Sequence, residues 1–211
     1  MMNTTLNPTL LGVFIPTFFI VSVTPGMCMT LSMTLGMTIG LRRTFWMMAG
    51  ELLGVGLVAA AAVIGVATLM LNYPLLFELF KYGGGAYLGY LGLKMWRSRG
   101  KLAINLDGPR QAPATGMALA LQGFVTAVAN PKGWAFFISL LPPFISDQQP
   151  MVPQLGVLLG LILLIEFSCL VLYASGGRSL SLLLRQRGNV RLLNRLAGSL
   201  MIGVGVWLAF G

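Results

Sequence analysis

Charge is what this chain of 211 residues has least of: Asp, Glu, Lys and Arg together make up 9% of it, where a soluble domain carries about a quarter. With 56% apolar residues and a mean hydropathy of +0.84, it lacks the polar side chains that would cover a water-facing surface. That excludes a soluble globular enzyme. Histidine is absent and there are only two cysteines, which excludes a disulfide framework and the common zinc and haem arrangements. No cofactor or metal is therefore expected. There is no P-loop, kinase or hydrolase motif either, so nothing in the chain supports ATP-driven chemistry. Acidic residues are scarcer than basic ones, five against fourteen, for a net charge of +9. Clustered on one surface, such an excess would point to nucleic acid; spread through short loops between apolar runs, it sets membrane topology.

Long apolar runs are what the chain does have. No charged residue occurs from Asn3 to Leu41, and further runs follow at Phe45–Leu71, Leu75–Trp96, Met117–Ile145, Val152–Tyr173 and Leu196–Phe210. A helical crossing needs about 20 apolar residues, so the expectation is six transmembrane helices in a lipid bilayer. The first run does not read as a signal peptide, because no Lys or Arg precedes it. Residues 3–41 are long enough for one broken crossing or for a re-entrant pair. Counting loops alternately puts Arg42, Arg43, Lys94, Arg97, Arg99, Lys101, Arg110, Arg178, Arg185, Arg187, Arg191 and Arg195 on one side, and only Lys81 on the other. The basic side is the cytoplasmic one, which places both termini in the periplasm and leaves no nucleic-acid surface. Trp46 and Trp96 stand beside the basic loops, where amphipathic rings favour the interface.

The runs divide into two triplets: residues 1–97, a cytoplasmic linker over 98–115, and residues 116–211. Thr24-Pro25-Gly26 in the first helix of one half matches Asn130-Pro131-Lys132 in the first helix of the other. Glu51 matches Glu166 in the second helices, and Gly85 and Gly92 match Gly198 and Gly205 in the third, all at offsets of 106 to 115. Three crossings per half turn the second half upside down relative to the first. The expected fold is an all-α polytopic membrane protein of two inverted three-helix repeats, an architecture common to secondary transporters.

A proline in mid-span breaks or kinks a helix. Thr and Asn are N-cap residues and Pro is favoured at the first helical position, so the first and fourth helices are expected to break and restart at Pro25 and Pro131. Each restart presents free N–H groups and about half a positive charge, the natural partner of a carboxylate or phosphate. The alternative is a pair of ordinary proline kinks that shape packing. Thr24, Pro25, Gly26, Met27, Asn130, Pro131 and Lys132 are thus candidate substrate-binding residues. Glu51, Lys132 and Glu166 all lie inside spans, where one charged group costs roughly 2.5–3.5 kcal/mol to insert. Lys132 needs a negative partner, whether Glu51, Glu166 or a substrate carboxylate, and the two glutamates are candidates for carrying a coupling proton. A static buried ion pair is the structural alternative.

Val23-Thr24-Pro25-Gly26, Gly50-Glu51, the stretch from Lys81 to Gly92 and Asn130-Pro131-Lys132 together resemble the LysE/RhtB family of amino-acid exporters, and the resemblance runs along essentially the whole chain. It implies a bacterial inner-membrane protein that exports amino acids or similar small molecules, driven by protons. Small six-helix transporters often work as dimers, so a homodimer is a further expectation. After the first proline this chain has Gly26-Met27-Cys28 where the family is usually Gly-Pro-Asn-like, and it has Glu51 where Asp is more usual. Export of cations or other small solutes is an alternative. So is thiol-electron transfer, which a remote relative of the same architecture performs with a cysteine near each proline. Here Cys28 is near Pro25 but Cys169 is far from Pro131 in sequence.

Overall fold

The computed structural model describes residues 8–72, 74–97, 115–141, 144–145, 149–185 and 187–210. The described residues form helices: α1 (Pro8–Val23), α2 (Met27–Ile39), α3 (Leu41–Asn72), α4 (Pro74–Trp96), α5 (Gly116–Val128), α6 (Pro131–Leu140), α7 (Met151–Arg185) and α8 (Arg187–Phe210). Local chemistry explains the boundaries. Pro25 has no N–H and disfavours the helical conformation at Thr24; α1 stops at Val23, and α2 leaves at an angle of 55° to it. α2 ends at Gly40, whose φ of +81° is open at little cost only to glycine. Thr115 caps α5 by accepting from the Ala118 N–H at 3.2 Å. α7 kinks at Gly177, where φ is +37°.

Among the described residues, Leu41–Gly65 and Met151–Gly177 are each long and apolar enough to cross a bilayer, and α1 with α2 passes the same test as a bent pair. Leu53, Leu57 and Ile64 on α3 and Leu164 and Leu172 on α7 face outward, as side chains in contact with lipid do. Helix boundaries differ from the apolar runs at the basic positions. Arg42 and Arg43 lie inside α3, Arg178 and Arg185 inside α7, and Arg191 and Arg195 inside α8. Arg is a good helix former, and its stem reaches beyond the apolar zone while its head stays wet. Helices therefore run on past the point where hydrophobicity ends. Most of the expected linker 98–115 and the Lys81 side chain lie outside the described residues.

Close backbone approach through small residues fixes how the helices run. Gly50 lies on Ala120 and Gly54 on Phe124, so α3 and α5 are parallel. Ser32 donates to the Leu170 carbonyl and Gly36 lies on Ala174, so α2 and α7 are parallel too. Gly85 meets Gly205 and Gly92 meets Gly198, which makes α4 and α8 antiparallel. Without water to drive association, such small-residue contacts are how membrane helices pack. The core has two parts. Phe14, Phe18, Phe136, Phe137 and Phe144 dominate one; Met29, Met33, Met47, Met48 and Tyr173 dominate the other.

A Cβ at Gly50 or Gly123 would run into the facing backbone, whereas one at Gly156 would meet nothing within 4 Å. Gly50→Ala and Gly123→Ala should each cost at least about 1–3 kcal/mol through overpacking. Both should lower the melting temperature in detergent, while Gly156→Ala leaves it unchanged or raises it. Equal melting temperatures for all three variants would contradict the packing.

Candidate binding site between two broken helices

The interruption between α1 and α2 and the one between α5 and α6 come together around a cavity of about 60 Å³, well above the roughly 10–15 Å³ that one water requires. Thr24, Gly26, Asn130, Lys132, Glu51 and Glu166 all line it. Pro25, Met27 and Pro131 are not among its lining residues. Sequence reasoning did not single out Ser22 or the ring wall of Phe18, Phe136 and Phe137, and it noted Cys28 only for its nearness to Pro25; all of these line the cavity.

The breaks expose backbone groups, and each set is handled differently. At the carbonyl end of α1, Thr24 Oγ1 donates to Ile20 O at 2.6 Å, and Lys132 Nζ donates to Val21 O at 2.7 Å and to Thr24 O at 3.5 Å. Tyr173 Oη donates to Val23 O at 2.7 Å. Two side chains from the other half of the chain thus close an end that the helix cannot close itself. The ammonium for which Glu51, Glu166 or a substrate carboxylate was the expected partner donates to carbonyls here, where the negative end of the α1 dipole favours it.

At the start of α6, Asn130 Oδ1 accepts from the Lys132 N–H at 3.1 Å, Asn130 O accepts from Gly133 N–H at 3.1 Å, and Pro131 has no N–H to satisfy. The carbonyl end of α5 is closed by Trp134, whose indole N–H donates to Val128 O at 2.8 Å. The start of α2 is different. Gly26 is extended there and supplies no side-chain cap, and the N–H groups of Met27, Cys28 and Met29 find no acceptor among the described residues. The Asn130 amide lies 3.9 Å from Cys28 Sγ, so the two breaks touch.

The two acids are also unlike. Glu166 Oε2 accepts from Ser22 Oγ at 2.7 Å. Glu51 is fully buried at 0% exposure, and neither of its oxygens has a hydrogen-bond partner among the described residues. An ionised carboxylate in that position costs several kcal/mol unless something positive joins it. Both cysteines are free. Tyr173 escaped the sequence reading because a tyrosine ending an apolar run reads as an interface anchor; α7 continues well beyond it, and the ring is 2% exposed. Its polar tip, buried in a span and needing a partner, was the available signal.

Tyr173→Phe should remove the cap on Val23 O and cost about 1–3 kcal/mol, the penalty of one buried unpaired carbonyl. Lys132→Met should cost more, since it uncaps Val21 and Thr24 together. Thermal melts of the purified variants check both; a Tyr173→Phe protein as stable as the parent would show that the hydroxyl does not hold the break.

Comparison with known proteins gives a consistent set of relatives. The family model described as LysE type translocator matches residues 19–211. The homoserine/homoserine lactone efflux protein of Salmonella typhimurium is 30% identical over 93% of this chain and 94% of its own length. The threonine efflux protein of Escherichia coli is 29% identical over 74% of this chain and 75% of its own. The leucine efflux protein of Klebsiella pneumoniae is 28% identical over 80% of each. No solved structure matches. Apolar helices packed through glycine, a polar cavity inside them and this match over nearly the whole length agree: the chain belongs to the LysE type translocator family, and it is a membrane transporter rather than an enzyme.

Proposed function

We propose that the protein is a secondary exporter of amino acids or related small metabolites across the bacterial inner membrane, coupled to protons and working by alternating access. The observation that carries this reading is the unpaired Glu51 carboxylate, fully buried on a cavity between two helix breaks. A buried charge without a partner is a group waiting for one, and intramembrane ionisable groups commonly mark a transport path. Thr24 to Met27 and Asn130 to Lys132 form the substrate-binding region, and Glu51 and Glu166 take the substrate ammonium or the coupling proton. The relatives' names supply the class of cargo: homoserine and its lactone, threonine, and leucine.

Helix directions support the two-repeat reading. In a chain of six alternating crossings with both termini in the periplasm, the first and fifth run parallel, the second and fourth run parallel, and the third and sixth run antiparallel. The pairs α2 with α7, α3 with α5, and α4 with α8 have these senses. Exchanging the halves also carries the Gly85–Gly205 contact onto Gly92–Gly198, as an inverted repeat requires.

The cavity's two ends are built differently, which suits alternating access. Toward Gly40 and the basic start of α3, glycines let α3 meet α5 and α2 meet α7 backbone to backbone. The other end is closed by rings: Phe14 against Phe144 at 5.0 Å, Phe18 against Phe136 at 5.5 Å and Phe18 against Phe137 at 6.1 Å. Rocking one triplet against the other opens one end as the other closes.

Cells overproducing the protein should release radiolabelled threonine, homoserine or leucine faster than control cells. Glu51→Gln and Lys132→Ala should each cut that release by roughly tenfold or more, the effect of losing one charge-assisted contact. Cys28→Ser should export at the parental rate, since no thiol chemistry is invoked. Parental export by Glu51→Gln, Glu166→Gln and Lys132→Ala alike would remove the assigned site.

A further inference from the structure

The two breaks are equivalent in sequence but not in what they leave open. The start of α6 satisfies itself through Asn130. The start of α2, in a helix of 13 residues, has no cap and offers the N–H groups of Met27 to Met29. A Cβ on Gly26 would stand 3.9 Å from Lys132 Nζ, so the space that glycine leaves lies between those N–H groups and an ammonium. Glu51, fully buried and unpartnered, faces the same cavity. The rest of the wall carries Phe18, Val55, Val58, Phe136 and Phe137, with Glu166 among them already accepting from Ser22.

We infer that the cavity binds a zwitterionic α-amino acid with an uncharged side chain in one orientation: carboxylate in the space at Gly26, against the uncapped start of α2 and Lys132, ammonium on Glu51, and side chain against the phenylalanine wall. This rests on the exporter reading and adds polarity and selectivity to it. An uncapped helix start with a cation beside it is a carboxylate site. Glu166 already accepts from Ser22, so Glu51, with no hydrogen-bond partner among the described residues, is the lining carboxylate open to an ammonium. Gly26 is then a specificity-determining residue, because any side chain occupies the carboxylate's place. Its φ of −120° is open to every residue, so Gly26→Ala tests occupancy without backbone strain. The start of α6, already capped, holds its helix in place and takes no substrate group.

The test is a thermal-shift titration of the purified full-length protein in detergent with leucine, threonine, lysine, leucinamide and N-acetyl-leucine. Leucine or threonine should raise the melting temperature. Leucinamide, lacking the carboxylate, and N-acetyl-leucine, lacking the ammonium, should each bind roughly tenfold or more weakly, as loss of a charge-assisted contact implies. Lysine should also bind more weakly, because its second ammonium meets Phe18, Phe136 and Phe137 while Glu166 is already held by Ser22. Gly26→Ala should weaken leucine by a similar factor and leave the already weak leucinamide affinity nearly unchanged. Leucinamide binding as tightly as leucine, or lysine binding more tightly than leucine, would overturn the orientation while leaving an exporter in place. No shift with any of the five compounds would overturn the assignment of this cavity as the transport site, and the orientation with it. The comparison among compounds on the unmodified protein decides the question even if Gly26→Ala does not fold.

Discussion

Hydrocarbon offers a peptide backbone no hydrogen bonds. A helix broken inside a membrane therefore exposes carbonyl and N–H groups that only protein or bound ligand can satisfy. In this chain helices are interrupted at Thr24–Gly26 and at Ala129–Asn130, and the backbone groups left at the two sites are satisfied unequally. The α1 carbonyls are closed by Lys132 and Tyr173, the α5 end by Trp134, and the α6 start by Asn130. The α2 start has no side-chain cap among the described residues. Three of these four helix ends are therefore satisfied from within the fold, and the fourth is not.

The same accounting explains the charges. Lys132 is stabilised at the negative end of the α1 dipole, where it donates to two carbonyls. Glu166 has Ser22. Glu51 has no hydrogen-bond partner among the described residues, which is what the proposed recognition of an ammonium rests on. Lys132 consequently joins the halves: it stands on α6, holds the end of α1, and lies beside the open start of α2.

Much of this was readable from the sequence, and the reasons for the rest are specific. The paired prolines, the two acids and Lys132 stood out because charge and proline are costly in apolar runs, and Thr24, Gly26, Asn130, Lys132, Glu51 and Glu166 do line one cavity. Sequence position alone did not reveal that Lys132 would turn to carbonyls, because an acid and a carbonyl cluster are equally good partners on paper and only the fold decides which is within reach. Nor did it show that the two restarts would differ. Asn130 and Thr24 are both capping types, but the residue at the N-cap of α2 is Gly26, and Thr24 spends its hydroxyl on Ile20. The apolar runs stop short of the helix limits at the basic residues, starting late for α3 and α8 and ending early for α7, since apolar content marks the bilayer and not the limit of helical hydrogen bonding. Phe18, Phe136 and Phe137 looked like any other apolar residue, because periodicity says nothing about which face meets a cavity when nearly every face is apolar.

The central claim is that the open start of α2 and the unpaired Glu51 are two halves of one receptor. An experimental structure of the protein with leucine bound tests it most directly. The ligand's carboxylate should lie within hydrogen-bonding distance of the Cys28 and Met29 N–H groups and of Lys132, with its ammonium on a Glu51 oxygen. Leucine seated outside this cavity, or Glu51 paired with Lys132 while the ligand binds elsewhere, would contradict the account.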